Sequence, residues 1–171
     1  NQVKNAYKMS IFISIASYQD PLLVSTIFSA YNNARNKDEL VFSICDQSDD
    51  GIKVEEIGFV DQIHYEHVNP LFSKGPCWAR HRAQNFFNDE DFFLQIDSHT
   101  QFAPNWDVIF IDQLNKIAST TSDDGYFEKP IITAYPRSFE VVDFDKGVFA
   151  LNMGDKFTQV IMYRKDGLFS S

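Results

Sequence analysis

The residues with the clearest chemical potential are Asp97, Ser98 and His99, which end the apolar run Phe92-Phe93-Leu94-Gln95-Ile96. In an extended segment, an acid and a histidine two positions apart point to the same side. A carboxylate oxygen and an imidazole nitrogen converging on one point suit a Mn²⁺-like ion better than Ca²⁺. Such an ion would bridge a diphosphate and stabilise it as a leaving group. The triad also fits an ordinary loop start or helix cap, so spacing alone leaves both readings open.

A second group is Gly75-Pro76-Cys77-Trp78-Ala79-Arg80-His81-Arg82. A Gly-Pro turn opens a helix here, and helix N-termini and arginine forks both favour phosphate oxygens. Arg80 and Arg82 are two apart on a helix, so they diverge and serve different purposes. The alternative is a solvated helix face paired with the acids at 89–91. Ser14, Ala16, Ser17, Tyr18, Gln19 and Asp20 form a third group, whose small residues leave room for a base or ribose at a strand end, or make an ordinary loop before a helix. Asp46, in a polar stretch after a strand, is placed to accept from a base or ribose, or to build a turn. His64 and His67 are three apart on an extended segment and face opposite sides, as structural or surface residues do. Cys77 has no orienting base nearby and reads as a buried helix cysteine. Trp78 and Trp106 read as core, with Trp106 near enough to the acid–histidine motif to line a pocket.

These residues need a scaffold. Short apolar runs at 9–16, 39–45, 63–68, 91–97 and 130–135 predict strands. Asp20-Pro21, Gly75-Pro76 and Pro104 each open a segment of helical periodicity. The order β-α-β-β-α-β-α-β predicts an α/β fold, a mostly parallel twisted sheet with helices on both faces. Ligands of such sheets bind beyond the carboxyl ends of the strands. Beyond Pro136 the pattern weakens, with one more plausible strand at 157–163. The expected division is a core at 1–136 and an incomplete further region at 137–171, truncated at its C-terminal end.

Bulk properties narrow the function classes. The chain has 171 residues, 44% of them hydrophobic, enough for one domain with a real core. Its net charge of −9 does not suit a nucleic-acid partner. A nucleotide ligand remains compatible, because a divalent cation neutralises a diphosphate locally. Two cysteines make no disulfide framework and no metal-type pair, so reduced thiols and a cytoplasmic location are expected. No apolar run is long enough to span a membrane.

Taken together, the motifs resemble the hydroxyproline-type polypeptide N-acetylglucosaminyltransferases, glycosyltransferase family 60. The resemblance rests on Ile13-Ser14-Ile15-Ala16-Ser17-Tyr18-Gln19-Asp20-Pro21, on Gly75 to His81, on Leu94 to His99, on Asn105-Trp106-Asp107 and on Pro130 to Pro136, in that order. It implies a GT-A (nucleotide-diphospho-sugar transferase) fold. It further implies UDP-N-acetylglucosamine as donor, Mn²⁺ or Mg²⁺, a polypeptide or glycan acceptor and retention at the anomeric carbon. That group is similar to the mucin-type N-acetylgalactosaminyltransferases, which carry an Asp-Ser-His motif. By this likeness Asp97 and His99 are metal ligands and Ser98 lies between them at the donor. Gly75 and Arg80 approach the diphosphate, Ser14 and Ala16 meet the uracil, and Asp46 meets the base or ribose. The similar enzymes take a further histidine ligand from downstream, whereas no histidine follows His99 here. Either a region beyond this chain supplies it, or a group such as Asp143 or Asp145 does, or the metal site is incomplete. The competing function is a GT-A-like domain that binds a nucleotide-sugar or glycan without turnover. A nucleotidyltransferase fits less well, because a Gly-rich phosphate loop and paired acids at the strand end are both missing.

Overall fold

The computed structural model describes residues 9–119, 121–122, 125–126, 130–134, 136–143, 146, 148–151 and 161–162. The chain divides into two compact units, Asn1–Val108 and Ile109–Ser171.

The first unit is built on four parallel strands: β1 (Ile11–Tyr18), β2 (Leu40–Gln47), β3 (Ile63–Val68) and β4 (Phe92–Asp97), in the spatial order β3-β2-β1-β4. Helix α1 (Leu23–Asn33) connects β1 to β2, and α2 (Pro76–Gln84) connects β3 to β4. The expected α/β class, a parallel sheet flanked by helices, is therefore present and is compatible with a GT-A-like arrangement. Strands β1 and β2 read as nearly continuous apolar runs because both their faces are covered. Ser43 Oγ donates to the Ala83 carbonyl of α2 at 2.7 Å, and Cys45 is buried with Ala79 and Ala83. On the opposite face, Phe59 packs against Phe42 of β2 and stacks on Tyr31 of α1 with ring centroids 3.6 Å apart. Ile11, Ile13 and Ile15 are buried on that side.

Strand β1 extends to Tyr18, two residues beyond the expected run, and β2 extends to Gln47. The small polar residues at these ends stay in register because the neighbouring strands supply their backbone partners, Ser17 opposite Asp46 and Tyr18 opposite Gln47. After β3 the chain crosses over β1 to place β4 on its other side. The strand order therefore reverses between β1 and β4, and a ligand crevice belongs beyond their carboxyl ends.

The first turn of α3 (Trp106–Ser119) completes this unit. Trp106 is 4% exposed and donates from Nε1 to the Ala30 carbonyl at 2.8 Å. Asp107 is buried too, and its two oxygens accept from the Arg35 and Asn36 backbone N–H groups at 2.9 and 2.8 Å.

The second unit holds most of α3 and short antiparallel pairs. These are β5 (Thr121–Ser122) with β6 (Gly125–Tyr126), β7 (Ile132–Thr133) with β10 (Ile161–Met162), and β8 (Phe139–Asp143) with β9 (Val148–Leu151). The run expected as a fifth strand of the parallel sheet is thus a two-residue strand paired antiparallel to β10. Only Ile161 and Met162 of the expected strand at 157–163 lie within the described residues. Among the described residues, no helix is long and apolar enough to cross a membrane.

Candidate functional site

Alternation along β4 leaves Phe93, Gln95 and Asp97 exposed, on the face that Asp97 shares with its register partner Ala16. Asp97 closes the strand, and its Oδ1 accepts from Arg80 Nη2 of α2 at 3.2 Å. Arg80 Nε is buried without a hydrogen-bond partner among the described residues. The pair therefore uses one edge of the guanidinium and leaves another donor unmatched.

The chain leaves the strand at Ser98, so the alternation that would align Asp97 with His99 stops between them. Ser98 Oγ and His99 Nδ1 both meet Asp20 Oδ2, at 2.6 and 2.7 Å. The other Asp20 oxygen accepts from the Leu22 backbone N–H at 2.9 Å, where the chain turns into α1. Burial alone would raise the Asp20 carboxyl. The donors Ser98, His99 and Leu22, with the His99 charge, outweigh burial and hold it below the ordinary aspartate value.

Hydroxyls of α1 carry the segment onward. Thr26 Oγ1 donates to the Ser98 carbonyl at 2.7 Å and accepts from the Thr100 N–H at 2.9 Å. Ser25 Oγ accepts from Gln101 Nε2, and Ser29 Oγ from the Phe102 N–H. At about 1 kcal/mol net for each such bond, this ladder outweighs the ordering of a few loop residues only as a set. It is what fixes residues 98–102 against the helix.

A cleft of about 340 Å³ opens beside Asp20, lined among others by Gln19, Leu23, Asp46, Asp49 and Gly51. Its far wall is the turn after β2. Asp46 is 1% exposed, and its Oδ2 accepts from Ser48 Oγ at 3.0 Å and from the Tyr65 hydroxyl at 2.9 Å. The same hydroxyl accepts from the Ile52 N–H at 2.8 Å. Burial, with the Asp46 carboxylate, pushes the Tyr65 phenol well above its usual range despite the Ile52 bond. Gly51 sits at φ +69°, in the left-handed region that glycine tolerates best. Gln19 has positive φ as well and reaches Asp49 Oδ2 from Nε2 at 2.7 Å.

The expected site residues thus fall into separate places. Asp97 and Arg80 meet; Ser98 and His99 meet Asp20; Asp46 stands in the cleft wall. Gly75, with φ +87° and Pro76 after it, caps the N-terminus of α2. Ser14 lies in mid-strand, fully buried, its Oγ unpartnered among the described residues, and Ala16 packs toward the Cys45 and Ala79 cluster. The open end of β1 is formed instead by Ser17, Tyr18 and Gln19. Neither arginine pairs with the acids at 89–91: Arg82 grips Glu66 of β3 through two nitrogens and lies over the Trp78 ring. His64 stacks on Phe86, and His67 Nε2 contacts the Ser48 carbonyl at 2.7 Å. Cys77 is exposed, contrary to the buried position expected from sequence. Helix α2 turns Ala79 and Ala83 to the sheet, and a residue two positions before Ala79 points elsewhere. Asp143 is held by Lys146 in the β8–β9 turn, and Asp145 lies outside the described residues. Among the described residues, no group of three or more His, Cys, Asp or Glu is placed to hold a metal ion.

A family model described as "Glycosyltransferase (GlcNAc)" matches residues 49–153, more than half of the chain. The chain belongs to the glycosyltransferase (GlcNAc) family. No curated protein and no solved structure matches it. In this glycosyltransferase, the matched span includes Gly75, Arg80 and the Asp97-Ser98-His99 segment. It begins after β2, so Asp20, Asp46 and the α1 hydroxyls lie outside it.

Proposed function

We propose that this glycosyltransferase moves N-acetylglucosamine from UDP-N-acetylglucosamine to a hydroxyl, that of hydroxyproline in a polypeptide, with retention and with Mn²⁺ or Mg²⁺. The observation that carries the reading is the position of Asp97-Ser98-His99. It lies inside the family-matched span and at the β1/β4 strand-order reversal, where α/β sheets bind their ligands. Donor chemistry fits a divalent ion. Asp97 offers an exposed carboxylate, and His99, bonded at Nδ1, has Nε2 for a metal. When bound, the ion would supply charge stabilisation to a departing diphosphate.

The protein's own residues account for the rest. Arg80 stands beside Asp97, and the Nη2 that now bonds this carboxylate is suited to a phosphate oxygen once Asp97 turns to a cation. The cleft beyond Asp20 is lined by Asp20, Asp46, Asp49 and Asp50. Such acceptors repel phosphate but suit a neutral group rich in N–H and O–H donors, namely a uracil and its ribose. Incubation with UDP-N-acetylglucosamine, Mn²⁺ and paired peptides containing hydroxyproline or proline tests the proposal. The expected result is one added N-acetylhexosamine on the hydroxyproline peptide alone, with an α linkage by NMR. A β linkage, or preference for another nucleotide-sugar, refutes the mechanism or donor respectively.

A further inference from the structure

We propose that Leu71 and Phe72 are the docking platform for the acceptor: a neutral, proline-rich extended segment around the hydroxyl that receives the sugar. This deepens, and rests on, the reading of the chain as a transferase acting on hydroxyproline. Among the described residues, Leu71 and Phe72 are the most exposed large apolar side chains, at 89% and 70%. They sit on the turn Pro70–Phe72 that follows β3, at the carboxyl end of the sheet. Two such groups held side by side in water mark a contact surface. The turn is fixed from both sides. The Leu71 N–H donates to Asn69 Oδ1 at 3.0 Å, and the Phe72 N–H to the Asn69 carbonyl at 2.9 Å. Ser73 Oγ donates to Gln47 Oε1 at 2.6 Å, and Gln47 Nε2 donates to the Ser17 carbonyl at 2.9 Å. Gln47 is buried, so the platform is tied to the ends of β1 and β2 and borders the crevice assigned to the donor. Docking there orders little additional backbone.

Charge decides the occupant. Val68 to Trp78 carry one charged side chain, Lys74. An anionic membrane surface calls for a basic cluster, and one lysine does not make one. The neighbouring turn, joined to β3 by the His67 Nε2 contact with the Ser48 carbonyl, carries Asp49 and Asp50. A second copy of this chain, with net charge −9, would set acid against acid there. A prolyl segment meets neither obstacle. It is uncharged, its rings pack on Leu and Phe, and its stiff extended form loses little freedom on binding.

The test uses a fluorescein-labelled peptide with one hydroxyproline between prolines, and a control peptide in which serines replace the flanking prolines. Wild type is compared with Leu71→Ser/Phe72→Ser and with Phe72→Tyr, all changes at exposed positions. By anisotropy in UDP and Mn²⁺, the double variant should bind the proline-flanked peptide about 10–100-fold more weakly, because two apolar side chains are no longer buried by it. Phe72→Tyr should bind as wild type does, the control peptide should bind weakly to all three, and UDP affinity should not change. In transfer assays the loss should fall on the peptide KM, with kcat preserved. Equal binding of the peptide by wild type and double variant overturns the proposal, as does equal binding of the two peptides by wild type. Transfer to hydroxyproline with an unchanged peptide KM in the double variant overturns the platform and leaves the acceptor reading intact. Binding that the double variant loses, without transfer to hydroxyproline by wild type, upholds the platform and removes the acceptor chemistry. Cosedimentation with phosphatidylserine vesicles, or a dimer by light scattering, lost in the double variant while the peptide KM holds, overturns the proposal in favour of a membrane or a second copy.

Discussion

The Tyr65 hydroxyl and Gly51 together hold the cleft wall, and their coupling can be worked out from the geometry. Tyr65→Phe preserves shape and removes one oxygen. It forfeits a bond to the buried Asp46 carboxylate and leaves the Ile52 N–H without its acceptor. A hydrogen bond to a charged group is worth about 1.5–3 kcal/mol and a neutral one about 1, so the loss should be about 3 kcal/mol. Gly51→Ala places a Cβ 2.8 Å from that hydroxyl and 3.2 Å from the His67 ring, at a backbone φ of +69°. Left-handed strain costs about 1–2 kcal/mol. Displacing the hydroxyl adds much of the loss expected for Tyr65→Phe, giving about 3 kcal/mol in all. In the Tyr65→Phe background the clashing oxygen is gone, and only the strain and the His67 approach remain. The double variant should therefore be more stable than the sum of the single losses by about 1–2 kcal/mol. Urea unfolding followed by far-UV circular dichroism measures all four proteins. Additivity within about 0.3 kcal/mol would refute the claim that this hydroxyl is the point of contact.

Three further outcomes follow from the same geometry. Burial, with Glu66 and Asp46 adding to it, pushes the Cys45 thiol up to about 11, against the Arg82 charge, while Cys77 is exposed. Iodoacetamide at pH 8 should label Cys77 alone until the protein is unfolded, when mass spectrometry should find two labels. Because the folded value is raised, the Cys45 contribution to stability is complete below the ordinary thiol value of 9.0 and is lost as pH rises toward 11. Asp107→Ala strips the acceptor from the Arg35 and Asn36 N–H groups and should cost about 3 kcal/mol, read by urea unfolding. Arg80→Ala should weaken UDP at least tenfold in the presence of Mn²⁺ and leave uridine unaffected, as titration calorimetry would show.

Much of this fold is legible in the residues themselves. β3 is found at the expected span because Pro and Gly punctuate the turn that follows it. α1 begins at Leu23, just beyond the Asp20-Pro21 start signal, and Asp20 binds the Leu22 N–H in the turn before the helix instead of capping it. Less legible is the second job of Asp20, because its partners Ser98 and His99 lie 78 and 79 residues away. The hydroxyls Ser25, Thr26 and Ser29 look like polar residues scattered on an amphipathic helix, and only the fold aligns them with residues 98–102. Tyr65 reads as strand composition, and nothing local marks it as the brace of a turn near residue 51. Extended-chain geometry relates Asp97 to His99 only while the strand lasts, and the strand ends at Asp97. Ser14 lies within β1 and is fully buried, and because the strand continues to Tyr18 its open end is formed by later residues.

The central claim is that Asp97 and His99 hold the cation that recruits a UDP-sugar. Calorimetric titration of UDP, with and without Mn²⁺, into wild type and Asp97→Asn tests it most directly. Asparagine keeps an acceptor for Arg80 and removes the charge a cation needs, so release of the arginine does not confuse the result. UDP binding should depend on Mn²⁺ in wild type and weaken at least tenfold in the variant. UDP binding that ignores both Mn²⁺ and the substitution would contradict the assignment.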